Sequence, residues 1–350
     1  MNLFKVKKGI ILEQHKEPAL SREIRQFVNA GASLPKTEFG PVPSLDAVTA
    51  DDIIEIAKQA KIVDERGGAP LWKNLQKAQE QDVAIVVADA IDDEPYISSQ
   101  LGILLGLREQ AAGGLAAAIK AVGAQEGSFA VYKNLSELEI RIPKQIGGYS
   151  VRRIRGEYPA ENRLSDELEL TAPYTTFGVC ALVHLYRALY EASVQTTCFV
   201  TVAGNCVGYP TNLEVSIGMT ATQVLERCGL VDNPTRVIIG GSMTGLACID
   251  TDATSITPTT KGVLAFKENE KDLHYSCIGC GRCVGACPSY LNPMYIYRLI
   301  TTEKKYLLGG LGTHRCIGCG TCSYVCPAKL PLASKIQEYN GSQAERGTDE

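Results

Sequence analysis

The sequence predicts an α/β domain with a parallel sheet, then a small β-grasp unit, then an α-rich, cysteine-dense unit of metal-binding type. Three observations carry that reading. From Ala47 to Asn134, helical apolar spacing alternates with apolar, β-rich runs, the pattern of helices laid on a parallel sheet. From Thr196 to Gly229 the order changes to strand, turn, strand, helix. Between Cys277 and Pro327 a cysteine motif occurs twice, first as CIGCGRCVGACP and then as CIGCGTCSYVCP.

At 350 residues, 45% hydrophobic and 21% charged, the chain has apolar material for at least two cores. A formal net charge of -4 lacks the basic excess that nucleic-acid binding needs, so no nucleic-acid partner is expected. No apolar run reaches the length of a membrane span, and the opening MNLFKVKKGIILEQHKEP is charged too early for a signal peptide. A cytoplasmic, non-spanning protein is the expectation.

Residues 1–46 read as an N-terminal extension. Within 47–195, LDAVTADDIIEIAKQAK places Ile53, Ile54, Ala57 and Ala60 on one helical face behind an acidic first turn, with Thr49 as its cap. A turn, DERGGAP, and a short helix, LWKNLQKAQE, follow; VAIVVADAI from Val83 suits a strand buried on both faces. One long helix is predicted over Leu101 to Val122, and a strand over SFAVYKN. In the β-grasp unit, 196–262, NCVGYPTNLE is the turn, VSIG the second strand and TATQVLERCG a helix capped by Thr220. RVIIGGSMTG returns as a strand with a glycine-rich exit, and DTDATSITPTTKG bridges to the cysteine-dense unit, 263–339. The polar end, 340–350, is predicted to be disordered.

Eight of thirteen cysteines fall in the two motifs. The spacing C-x2-C-x2-C-x3-C-P is that of bacterial two-cluster ferredoxins, in which three close cysteines hold one [4Fe-4S] cube and the fourth crosses to the other. Applied here, Cys277, Cys280, Cys283 and Cys326 ligate the first cluster, and Cys316, Cys319, Cys322 and Cys287 the second. Zinc fits this arithmetic poorly, because two C-x2-C pairs already satisfy its four positions and the third and crossing cysteines have no use. Clusters with a purely structural role stay open as an alternative. Cys180, Cys198, Cys206, Cys228 and Cys248 stand singly among apolar neighbours and read as small buried hydrophobes.

In a parallel sheet, ligands bind beyond the carboxyl ends of the strands. Two loops stand there. In RGGAP, from Arg66 to Pro70, a Gly-Gly turn can turn its N–H groups to a phosphate ahead of a helix. In DAIDDEPY, from Asp89 to Tyr96, carboxylates follow the apolar strand. The ordinary alternatives are a plain turn and a solvated acidic loop.

Over roughly Ala47 to Gln337 the chain resembles the RnfC-like proteins, which are related in part to the flavin-carrying subunit of respiratory complex I. The residues that carry the resemblance are RGGA at 66–69, DEPY at 93–96, YPAE at 158–161, VTVAGNCVGYPTNLEVSIGMTATQVLERCG ending at 229, VIIGGSMTG at 237–245, TTKGVLA at 259–265, and both cysteine motifs. The resemblance implies an α/β flavin/NADH-type domain, a β-grasp (SLBB) domain and an α-rich, bacterial-ferredoxin-like two-cluster domain. It implies redox partner proteins, a donor dehydrogenase or an acceptor reductase, with peripheral association at a membrane left open. Among the family's branches, the loops look most like the one associated with proline reductase. By the same resemblance, Gly67, Gly68 and Ala69 would cradle the phosphate of FMN, Asp92 and Glu94 would hold the ribityl or nucleotide side, and Arg66 would join them in binding FMN or NADH.

Three departures bear on that cofactor. The family's flavin loop reads G-x-G-G-A-G-F-P-T, and here Pro70 replaces a glycine and Leu71 the aromatic. Asp89 stands where an asparagine is usual, and YPAENRL is two residues shorter than the family's turn. Two readings follow. In one, NADH reduces FMN, which splits the electron pair between the two clusters, because nicotinamide gives two electrons together and each cluster takes one. In the other, the α/β domain has lost its flavin and the chain is an adaptor, or a structural or sensing iron-sulfur protein, whose clusters serve partner proteins. A basic fringe of Arg282, Arg298, Lys304, Lys305, Arg315 and Lys329 would steer an acidic partner.

Overall fold

The computed structural model describes residues 39–132, 142–155, 158–160, 164–267 and 275–346. It divides into two compact units, one formed by the chain up to Ser242 together with Leu246–Lys267, the other by Met243–Gly245 and Glu268–Glu350. Most of the predicted N-terminal extension, and Glu161 of YPAE, lie outside the described residues. Phe39, Val42 and Leu45, at the end of that extension, pack on the core of the first unit, and the Val42 N–H donates to the Leu189 carbonyl.

The first helix, α1 (Ala50–Gln59), starts where the sequence predicts. Thr49 Oγ1 accepts from the Asp52 N–H and the Asp52 carboxylate accepts from the Thr49 N–H, a reciprocal cap that satisfies two otherwise orphaned donors. Thr49→Ala should lower the stability of this unit by about 1 kcal/mol, read as a lower urea midpoint with unchanged slope; an unmoved midpoint would count against the cap. Helix α2 (Leu71–Glu80) follows, and then β1 (Ile85–Ala90). The predicted helix over Leu101 to Val122 is two helices, α3 (Ser99–Gly106) and α4 (Arg108–Val122). Leu107, after Gly106, leaves helical geometry at φ -120° and ψ 43°, and the Arg108 side chain donates to the Leu105 carbonyl near the break.

Strands β2 (Glu126–Tyr132), β3 (Gln145–Ile146), β4 (Tyr149–Ile154) and β5 (Tyr174–Gly178) complete the first sheet, ordered β3-β4-β2-β1-β5. All pairings are parallel except the β3–β4 edge. On β1, Val86, Ala88 and Ala90 join the large core with α1 to α4, while Val87 joins a smaller core on the other face with Ala130, Ile154 and Leu168. Burial on both faces explains why the run is apolar without alternation. Helix α5 (Val179–Glu191) leaves directly from β5 and packs beside α4, where Gly114 lets the Leu182 carbonyl approach too closely for any Cβ.

The second sheet, ordered β7-β6-β10-β8-β9, is the β-grasp. It contains β6 (Thr197–Ala203), β7 (Thr211–Ser216), β8 (Arg236–Ile239), β9 (Leu246–Cys248) and β10 (Gly262–Phe266). Helix α6 (Ala221–Arg227) is capped by Thr220 as predicted. Two expectations are corrected. The second strand begins at Thr211, not Val215, because Thr211 to Ser216 pair in full with Val202 to Thr197. The boundary at 262 cuts a central strand: β10 lies between β6 and β8, with Val263 and Ala265 in the β-grasp core, so the unit runs on to Lys267. Asn212 ties this sheet to the helices of the first, its amide donating to the Ser98 carbonyl, and Arg187 of α5 pairs with Glu214 of β7 at 2.5 Å.

The second unit contains α7 (Arg282–Gly285), α8 (Pro293–Thr301), α9 (Thr321–Tyr324) and α10 (Leu332–Arg346). The last helix overturns the disordered tail up to Arg346; residues 347–350 are outside the described ones. Tyr339 packs on a core of Leu291, Ile296, Leu299 and Ile336, and the Asn340 amide donates to the Thr313 carbonyl, so the polar turn is fastened rather than loose.

Candidate functional site

In each motif the segment Ile-Gly-Cys-Gly curls tightly before a one-turn helix. Gly281 and Gly320, at matching places, hold φ of 74° and 78°, which a side chain rarely adopts. The third cysteine of each motif, Cys283 or Cys322, is buried at the start of its helix, while Cys277 and Cys280 are exposed. The fourth cysteine of each motif faces the other motif. One cavity, with an empty volume of about 320 Å³, is lined by Cys277, Cys280, Cys283 and Cys326, and is closed by Met294, Leu330 and Leu332. A second, of about 330 Å³, is lined by Cys316, Cys319, Cys322 and Cys287, with Leu291, Ala333 and Ile336 behind them.

These two sets are the ones that crossed ligation demands, and eight thiols in two apolar-backed cavities fit a [4Fe-4S] cluster in each. Among the described residues, no three His, Cys, Asp or Glu side chains are grouped as they would be to hold a single ion. Burial pushes the Cys322 thiol up to about 12, with Cys316, Cys319 and Cys287 adding to the shift; burial also raises Cys283, with Cys326 adding to it. Cluster iron would exchange those protons for metal–thiolate bonds. Donors that the spacing could not reveal also reach the sulfurs: the Leu291 N–H lies 3.4 Å from Cys287 Sγ and the Gln337 amide 3.4 Å from Cys316 Sγ. Hydrogen bonds of this kind tune cluster potential.

The second candidate site lies at the carboxyl ends of β1 and β5, where the order of the first sheet switches and Asp89 pairs in register with Gly178. The residues expected to hold a flavin are brought to this region and are engaged with the chain itself. Within the glycine turn, the Arg66 N–H donates to Asp64 Oδ1, the Gly68 N–H to the Asp64 carbonyl, and the Ala69 carbonyl accepts from the Asp64 N–H. Gly67 has open space where a Cβ would project. The Arg66 guanidinium contacts Asp89 at 2.6 Å and donates to the Thr176 hydroxyl. Asp92 is buried and accepts from the Leu101 and Gln100 N–H groups at the start of α3. Burial pushes its carboxyl up to about 7, against the pull of those N–H groups and of Lys261. Glu94 sits where a Cβ on Gly241 would collide with its carboxylate, and Asp93 accepts from the Ala160 N–H.

A flavin phosphate does not fit this set. Asp64, Glu65, Asp89 and Asp92 are all buried there, and the N–H groups of Arg66 and Gly68 are turned inward. Sequence reasoning missed Glu65, whose carboxyl oxygens accept from the Cys180 and Ala181 N–H groups in the first turn of α5. Its partners lie 115 and 116 residues away, and no local signal connects them.

The fold and the eight cysteines define an iron-sulfur protein with an α/β domain, an SLBB β-grasp domain and a two-cluster ferredoxin-like domain. Residues 276–330 match the 4Fe-4S dicluster domain family, and residues 199–247 match the SLBB domain family. Over most of its length the chain is similar to RnfC proteins. It is 29% identical over 275 residues to the RnfC protein of the Na(+)-translocating ferredoxin:NAD(+) oxidoreductase complex of Acetobacterium woodii, covering 73% of this chain and 62% of that one. It is 29% identical over 303 residues to the corresponding protein of the ion-translocating oxidoreductase complex of Rhodobacter capsulatus, covering 80% and 58%. The chain thus spans about three fifths of the length of these relatives. Among solved structures, an NAD+-reducing [NiFe]-hydrogenase in the H2-reduced state shares the fold, with a TM-score of 0.56 and 15% identity over 91% of this chain and 71% of that one. Among the described residues, no helix is long and apolar enough to cross a membrane.

Proposed function

We propose that the chain relays single electrons between partner proteins through two [4Fe-4S] clusters. The first cluster is held by Cys277, Cys280, Cys283 and Cys326, the second by Cys316, Cys319, Cys322 and Cys287. The observation that carries this reading is the pair of four-cysteine cavities, each completed by the other motif's last cysteine. The named relatives belong to complexes that join ferredoxin and NAD+ or translocate ions, which supports a role as a peripheral electron-transfer subunit. A reduced donor protein supplies the electrons; NADH oxidation at a flavin of this chain is not part of the reading, because the crevice residues are engaged internally.

The donor is an acidic one-electron carrier. Lys304, Lys305, Arg315 and Lys329 are exposed on the cluster unit of an otherwise acidic chain. The test is anaerobic mixing of the cluster-loaded chain with NADH, or with a reduced acidic ferredoxin, while the visible absorption of the clusters is followed. Bleaching by the carrier and not by NADH is expected; bleaching by NADH alone would restore the flavin enzyme, and bleaching by neither would leave a structural or sensing protein. Reversing Lys304 and Lys305 to glutamate should slow reduction by the carrier about tenfold at low salt, with the difference fading as salt rises.

A further inference from the structure

The crevice between β1 and β5 is not merely short of flavin ligands; it is filled. Glu65 is 5% exposed and accepts from the Cys180 N–H at 2.8 Å and from the Ala181 N–H at 3.0 Å, two of the free donors at the start of a 13-residue helix. A Cβ added to Gly178 would stand 2.2 to 2.4 Å from its carboxyl atoms, so the residue that ends β5 must be glycine for the carboxyl group to sit there. Asp64 takes the Gly178 N–H at 3.2 Å and the Asn74 amide at 3.2 Å. Arg66 closes the remaining side by bridging Asp89 of β1 and Thr176 of β5.

We propose that Glu65 is a built-in surrogate for phosphate, which holds the anion position at the N terminus of α5 and thereby closes the crevice to flavins and nucleotides. A helix N terminus at the switch point of a parallel sheet attracts phosphate through its N–H groups and dipole. Here those donors are already committed to a carboxyl group, and Asp64 and Asp89 stand behind it. A phosphate dianion would have to displace Glu65 and take its place beside the Asp64 carboxyl group. The inference deepens the flavin-free part of the proposed function and is independent of the clusters.

The experiment titrates the cluster-loaded full chain with FMN, read by flavin fluorescence, and with inorganic phosphate, read by calorimetry. The wild-type chain should show no saturable uptake of either. Glu65→Ala should gain FMN binding tighter than wild type by roughly tenfold or more, competed by phosphate, because the N–H groups freed of the carboxyl group can then take an anion. Glu65→Gln should stay closed, since its amide oxygen can still accept from the helix. Tight FMN binding by wild type, or a folded alanine variant that binds no more than wild type, overturns the proposal. Amide exchange of the wild type needs no variant: the Cys180 and Ala181 amides should be protected and unchanged by phosphate, and protection that responds to phosphate would also overturn it. Electron transfer from the acidic carrier should be the same in wild type and variants, so the outcome is separate from that of the relay.

Discussion

Replacing Cys287 by alanine should empty the site formed by Cys316, Cys319 and Cys322 and leave the other cluster in place. Iron should fall from about eight to about four per chain in a fully loaded preparation, and one of two low-temperature spectroscopic signals should disappear. The reason is positional: Cys287 lines the cavity of the second motif, although it lies only four residues after Cys283 of the first. Cys326→Ala is the mirror test and should remove the cluster of Cys277, Cys280 and Cys283. If Cys287→Ala instead removed the cluster of its own motif, ligation would be contiguous and the crossed assignment wrong. Zinc in place of iron in the wild-type chain would reject both.

The first unit should lose stability as pH rises from 6 to about 8.5. Burial pushes Glu65 up to about 8, with Asp64 adding to the shift and the Cys180 and Ala181 N–H groups opposing it. Asp92 is pushed up to about 7, again by burial, with Asp89 raising it and Lys261 and the α3 N–H groups lowering it. Both folded values lie above the unfolded ones, so the native state binds more protons, and the associated stability is present below the unfolded values and lost as pH passes through 7 and 8. Two such groups imply a loss on the order of 3 kcal/mol over this range, or a fall in melting temperature of roughly 5 to 10 °C. His184 acts in the other direction: burial, helped by Arg187 and opposed by Glu214, lowers it to about 4, so its contribution is lost as pH falls from about 6.5 through 4. Below pH 6 the two carboxyls outweigh His184, so on these groups stability should already be falling as pH rises from the ordinary carboxylate range. Asp92→Asn should flatten the alkaline limb, since an amide oxygen can still accept from Leu101; a flat wild-type profile would refute the assignment.

What the sequence reveals is what its chemistry encodes over short range. The cysteine intervals predict the ligand sets because neighbouring sulfurs are fixed by a few residues of backbone. Thr49 and Thr220 are legible as caps because each exchanges hydrogen bonds with a side chain three residues on. The apolar run of β1 is legible because both of its faces are covered. Legibility ends where distant segments decide. GVLAF follows a polar stretch that looks like a linker, and only pairing with β6 and β8 makes it a central strand. The polar end of α10 is held through Asn340 on a carbonyl 27 residues earlier in the chain. Strand order alone brings Arg66 and Asp92 to one crevice, but whether they face a ligand or their own chain depends on Asp89, Thr176 and the N–H groups of α3.

The crossing of Cys287 and Cys326 also sets a calendar for biosynthesis. A ribosome that has made the first motif has produced three of the thiols around the first cavity and one belonging to the second. The second set is complete when Cys322 is made, and the first must wait for Cys326. The set that begins earliest therefore finishes last, and until then a nascent chain carries a vacant thiol trio exposed to oxidants and stray metal. Iron delivery to the first site must accordingly wait until the second motif has been made in full.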